Sequence, residues 1–418
     1  MSTTQSEQYD IQSLIALLGT SMLILYTPVM TFSRFLRGGE GTAGLSIIQI
    51  GFILLFLLVV LSWAATGMIS PIRIHWWTIW IIAFLVYSFL TILYVIYHNA
   101  DIISWIRQWY EFSPLFLTVA LSPQIKNRHH VYYLFGALLA ASTLISLQGI
   151  LINVLNYGDG PYPFVFGLTG LPSTLYIWGT IISFSLLVLF MHQRSKHLTL
   201  VLGFVLLIHV TRLFIDLRRL PILVVLAGFL MVMVVIRRQI INILSRHLRL
   251  GLAASIAGAM IVAWPVLLLL NRLAQRNLFR GLFVRLDVSR QALQELHRNP
   301  VIGRGYIAEF KPSYEVIVQG HVRSIDTVHN LYVYVLANAG IIGFVLFGLI
   351  LVSVFRLSIR GVQKQMTAPD RILFSAAFGT FSSMLVFFVF SVRGHQTDTM
   401  LIFSVITSVL AFYSINSS

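Results

Sequence analysis

Cysteine is absent from the chain, which excludes disulfides and cysteine-ligated metals. Charge is scarce: only 10% of the 418 residues are Asp, Glu, Lys or Arg, while 57% are hydrophobic. A soluble domain carries about a quarter charged residues, so the composition excludes a soluble globular protein and requires an integral membrane protein. Acid is scarcest, with 14 Asp+Glu against 29 Lys+Arg. The outside carboxylates are scattered, without a D-x-D or E-x-D pair, which disfavours a divalent-metal glycosyltransferase. H-E-x-x-H, a P-loop and G-x-S-x-G are also missing, so ATP-driven transport has no site. No metal and no cofactor is expected. Met1–Asp10 lacks the basic region of a cleavable signal. There is no internal repeat.

What the chain has in abundance is apolar runs long enough to span a bilayer, about 20 residues each. Twelve are predicted, from Ile11–Met30 to Met400–Ile415, giving an all-α polytopic membrane protein. They fall into nine spans over residues 1–270, a polar loop over 271–328, and three spans over 329–418. The fourth, Trp105–Leu121, carries Arg107, Glu111 and Pro114; a proline kink there needs neighbouring helices to satisfy the freed carbonyl. Placing both termini in the cytoplasm puts more than twice as many Lys and Arg in the inside loops as in the short outside loops. Most of the formal charge of +15 is thereby explained without a nucleic-acid partner. The polar loop then falls outside, yet it carries eight of the arginines and a lysine, among them Arg285, Arg290 and Arg304. The positive-inside rule gives no reason for them. Anionic headgroups of the membrane lipids are one explanation, and a polyanionic substrate such as a pyrophosphate is the sharper one.

Three features converge on that outer face. Arg218 and Arg219 open the eighth span, Leu220–Ile236, where the positive end of a helix dipole reinforces two guanidinium groups as an anion site; Arg212 and Asp216 precede them as an outside stretch that orients it. Interfacial anchoring is the plainer role for such a pair. Second, Leu282–Arg298 reads as an amphipathic helix whose apolar arc, Ala292, Leu296, Leu293 and Leu286, has Arg285 at about 300°, near its middle. An arginine there needs an anion or a carboxylate, whereas Arg290 lies at the edge of the arc. NPVIGRGY then ends the helix with turn residues. Third, HNLYVYVLANAGIIG opens the tenth span, Leu331–Leu351, with His329 at an outward helix N-terminus that disfavours imidazolium. A neutral imidazole there serves as a general base for a hydroxyl, and a capping or interfacial histidine is the alternative. Arg290, Arg304 and Asn330 are further candidates for substrate contact.

At these residues the chain resembles the O-antigen ligase family of the ligase–polymerase superfamily. Arg219 followed by an apolar helix is similar to that family's arginine at the outer end of a membrane helix. Arg285 with Ala292, Leu293, Pro300, Gly303 and Gly305 resembles its arginine, amphipathic helix and P-x-x-G-x-G. His329–Gly343 resembles its His-Asn helix with a closing small-residue motif. Arg218 stands where serine is common, and Leu220 where glycine is common. The resemblance implies a GT-C-like glycosyltransferase in a Gram-negative inner membrane, active on the periplasmic face. It implies metal-independent, inverting transfer from an undecaprenyl-pyrophosphate-linked glycan to a sugar hydroxyl of lipid A–core. Arg219, Arg285 and Arg218 would hold the pyrophosphate and His329 would activate the acceptor.

Three other readings share these features. A polymerase of the same superfamily and a protein O-oligosaccharyltransferase differ only in acceptor. A lipid-linked-oligosaccharide flippase would use the arginines to escort phosphate. Transporters carry internal repeats with broken helices near the midplane, whereas here the ionisable residues crowd one face.

Overall fold

The computed structural model describes residues 3–36, 75–99, 102–155, 174–216, 219–246, 278–297, 299–305, 314–318, 321–325, 330–391 and 397–415, with single positions 54, 57 and 61. Fourteen helices and one hairpin carry the argument among these residues: α1 (Thr3–Leu36), α2 (Trp76–Leu90), α3 (Ile92–Tyr97), α4 (Ile102–Phe112), α5 (Leu115–Leu121), α6 (Arg128–Leu155), α7 (Leu175–His192), α8 (Lys196–Asp216), α9 (Arg219–Val235), α10 (Arg237–Arg246), α11 (Leu278–Leu296), β1 (Tyr314–Val318), β2 (His321–Ile325), α12 (Leu331–Gln363), α13 (Ala368–Phe390) and α14 (Thr397–Ile415). Among the described residues, seven helices are long and apolar enough to cross a membrane, or eight if the pair Leu220–Val235 and Arg237–Ile243, bent by 82°, is one span. The chain is a helical multi-pass membrane protein. Most of Leu45–Ala65 and all of Leu250–Leu270 lie outside the described residues.

Burial separates centre from rim. The apolar windows of α7, α13 and α14 are 72%, 78% and 83% buried within the protein, against 22% for α8, whose outer side is left to lipid. Lipid tails are as apolar as leucine, so close approach of backbones has to hold such helices together. α9 and α13 cross at Gly228 and Gly379: a Cβ on Gly379 would lie 2.9 Å from the Gly228 carbonyl oxygen, and one on Gly228 would overlap Ile181 of α7. That crossing fixes the helix that Arg219 begins.

Two predicted spans are broken. Ser113 and Pro114 divide Trp105–Leu121 into α4 and α5. The Tyr110 carbonyl, which a proline nitrogen cannot serve, accepts from Ser113 N at 3.1 Å and Ser113 Oγ at 2.8 Å. The freed carbonyl is thus served from its own segment rather than by a neighbouring helix; α14 contributes instead at the Pro114 carbonyl, which accepts from Ser404 Oγ at 2.7 Å. The tenth predicted span departs more. α12 is interrupted at Gly340, with φ 64° and ψ −168°, into a short first limb from Leu331 to Ala339 and a long second limb from Ile341 to Gln363. The polar loop also holds an antiparallel hairpin, β1 with β2 in the register Tyr314 to Ile325, a small exception to an otherwise all-α architecture.

Candidate functional site

Four helix N-termini share one end of the bundle. Arg212, in the last two turns of α8, lies over the ring of Tyr176, in the first turn of α7, at 5.6 Å. The connection from α8 to α9 is two residues long, so Arg219 starts α9 at that same end. Thr174, capping α7, bonds across to α14: its N–H donates to Asp398 Oδ2 at 3.3 Å and its hydroxyl lies 3.0 Å from that of Thr399. The first limb of α12 arrives through Tyr332, edge-on to Phe388 near the end of α13, and Phe388 in turn meets Phe403 of α14. Positive dipole ends of α7, α9, α12 and α14 therefore gather where negative charge is favoured.

Asn330 is the N-cap of α12, its side-chain oxygen accepting from Tyr332 N at 2.9 Å and Val333 N at 3.1 Å. Its side-chain oxygen is thus engaged by the backbone of the first helical turn. His329 precedes the cap by one residue and lies outside the described residues, as does Arg218. Arg219 and Arg285 are placed as helical residues of α9 and α11, their side chains outside the described residues. Asn330→Ala should lower stability by about 1 kcal/mol, while serine or aspartate retains most of it. An unchanged thermal midpoint of Asn330→Ala in detergent would show that the cap adds nothing.

α11 is amphipathic as expected, but its buried face is rotated. Val288 and Ala292 are buried, whereas Leu286 and Leu293, on the other flank of the predicted arc, are exposed. Arg285, three and seven residues before Val288 and Ala292, shares their side of the helix by period. Arg290 is exposed, matching its position at the edge.

The turn after α11 interlocks with the break in α12 through main chain alone. Arg304 N–H donates to the Ala337 carbonyl at 3.0 Å and Gly305 N–H to the Asn338 carbonyl at 2.8 Å. In return, Ile341 N–H donates to the Pro300 carbonyl at 2.9 Å. These bonds satisfy groups that the interruption of α12 removes from its helical ladder. Gly303 and Gly305 have φ of 69° and 66°, and a Cβ on Gly303 would lie 2.5 Å from Gly340 N. The Tyr87 hydroxyl of α2 donates to the Ala339 carbonyl at 2.7 Å, and Asn299 donates to the Tyr94 hydroxyl of α3 at 2.7 Å. The proline–glycine motif and the small-residue motif are thus one structural unit. It binds the arginine-bearing α11 to the limb that follows His329.

Arg212 departs from its predicted place. It belongs to α8 and is 1% exposed rather than part of an outside loop. The signal was available: an arginine inside an apolar helix, three residues after His209, is a functional candidate by default.

Residues 178–348 match the family model described as O-Antigen ligase. No curated protein matches the chain. The matched stretch runs from α7 into the second limb of α12 and contains Arg219, Arg285, the interlocked turn and His329. Over that segment the chain is similar to the O-antigen ligase family.

Proposed function

We propose that the protein is an O-antigen ligase of a Gram-negative inner membrane. It transfers a glycan from undecaprenyl pyrophosphate to a sugar hydroxyl of lipid A–core at the periplasmic face. The observation that carries this reading is the gathering at one bundle end of the α9 N-terminus with Arg219 and the Asn330-capped α12 N-terminus after His329. Arg219 and Arg285 hold the donor pyrophosphate, with Arg218 beside them, and His329 accepts the proton of the acceptor hydroxyl. The hydroxyl oxygen bonds to the anomeric carbon as the bond from that carbon to the phosphate oxygen breaks. Undecaprenyl pyrophosphate leaves with the electron pair, its added charge met by guanidinium groups and helix dipoles. In-line attack inverts the anomeric carbon. The apolar rim keeps both lipid-anchored substrates in one plane, which raises their effective concentration. Membrane-embedded glycosyl transfer of this kind is the chemistry expected of a GT-C-like fold.

The test uses purified protein, an undecaprenyl-pyrophosphate glycan and EDTA, with and without lipid A–core. A discrete product requiring lipid A–core is expected. A ladder growing without that acceptor would make the protein a polymerase, and no covalent product would favour transport.

A further inference from the structure

Behind the gathered helix ends lies a buried polar seam that the proposed mechanism leaves unused. Arg212 and His209 sit three residues apart on α8, 1% and 0% exposed. Both face glycines. A Cβ on Gly149 of α6 would overlap the Arg212 guanidinium, and one on Gly179 of α7 would overlap Ser142 and come within 2.9 Å of His209 Nε2. The two glycines are what lets an arginine and a histidine fit between three helices. His209 Nε2 is 3.0 Å from Ser142 Oγ, whose hydroxyl reaches the Leu139 carbonyl at 3.0 Å. That chain fixes the imidazole one turn below the guanidinium.

Arg212 itself is under-satisfied. Its Nε and Nη1 have no hydrogen-bond partner among the described residues, and neither does the buried Oε1 of Gln148, next to Gly149. The Tyr176 ring supplies a quadrupole, a weaker partner than a counter-ion for a desolvated guanidinium. Asp398, the carboxylate described at this end, is engaged by Thr174 N and Thr399 N. Asp216, one turn further along α8, has its side chain outside the described residues; among the described residues, the two unserved nitrogens of a buried guanidinium leave room for an anion. The bundle end where Arg212 sits is the one where α9 begins with Arg219.

On the reading given under the proposed function, we propose that Arg212 is a further cation of the donor site, holding the diphosphate from inside the bundle. Ser142 and His209 act as positioning residues beneath it. The diphosphate would then meet arginines from α8 as well as from α9 and α11.

The experiment measures binding of geranylgeranyl pyrophosphate to purified protein in detergent, with geranylgeraniol as the uncharged control. Arg212→Gln should weaken pyrophosphate binding about tenfold, the scale of a lost charge-assisted hydrogen bond, and leave geranylgeraniol binding unchanged. Arg212→Lys, which keeps the charge without the planar fork, should fall between. Gly149→Ala, which pushes the guanidinium aside without removing it, should weaken binding in the same selective way. Wild-type affinity in Arg212→Gln, with Arg219→Ala impaired, would overturn the role of Arg212 and leave the donor site standing. Should Arg212→Gln not fold, wild-type affinity in Arg212→Lys and Gly149→Ala would overturn it equally. Failure of the wild-type protein to prefer the pyrophosphate over the alcohol would overturn the donor reading itself.

Discussion

Replacing His329 by alanine should slow glycan transfer by roughly two to four orders of magnitude, the range that a positioned general base supplies. The expectation rests on where the residue falls in the chain. Asn330 caps α12 with two hydrogen bonds to the first helical turn, and His329 is the residue before it in the chain. On the proposed function, the positive end of a helix, which disfavours a second positive charge, would favour a neutral imidazole able to take a proton. A sugar hydroxyl is a poor nucleophile until its proton has somewhere to go, whereas the leaving pyrophosphate needs cations, not a base. Loss of His329 should therefore reduce turnover at saturating donor and acceptor while pyrophosphate binding persists. His329→Asn, which can donate a hydrogen bond but cannot accept a proton at neutral pH, should be as impaired as alanine. Initial rates of purified, monodisperse variants decide the matter. Turnover near the wild-type rate in either would remove the general-base role.

Much of this architecture was written in the apolar runs. α7, α8, α9, α13 and α14 fall where runs of bilayer length predict them, because hydropathy reports a solvent preference that every residue of a span shares. The proline break before α5 was legible too, since a missing N–H is a property of one residue type. Gly340 was not. The run YVLANAGIIGFVLFG is mostly apolar with small residues interspersed, and nothing in it distinguishes a glycine that allows close packing from one that takes a positive φ. That distinction is made by the turn at 300–305, docking from forty residues earlier in the chain. Arg212 was misplaced for a related reason. It lies near the end of the predicted span Leu198–Ile215, where charge ordinarily means the outside, and the fit of its guanidinium against Gly149 of α6 shows that burial continues there. On α11 the period was right and the face was shifted, because leucines count equally in a periodicity whether or not another helix covers them. The hairpin in the polar loop has the alternation of short strands, but hydropathy gives no reason to look for it there.

Gly340→Ala should produce the largest structural effect of any single methyl in the described residues. Its φ of 64° with ψ of −168° lies in a region that is essentially glycine's alone, where a side chain costs on the order of 1–3 kcal/mol. The added carbon would also overlap the Val301 carbonyl, so the turn must move off the break. Moving it breaks the bonds from Arg304 N to Ala337, Gly305 N to Asn338 and Ile341 N to Pro300 together, because all three cross the same contact. We expect a thermal midpoint several degrees lower in detergent and a loss of transfer larger than that midpoint explains, since the short limb after His329 and the helix bearing Arg285 are joined at this point. Gly348→Ala is the control. It lies eight residues further along the same helix, with nothing within 4 Å of where its Cβ would stand, and alanine there should be neutral or slightly stabilising. If the two variants behaved alike, the break at Gly340 would have no role in holding the site. If Gly340→Ala lost transfer while keeping its thermal midpoint, the interlock would be a device for aligning α11 with the start of α12, not for keeping the protein folded.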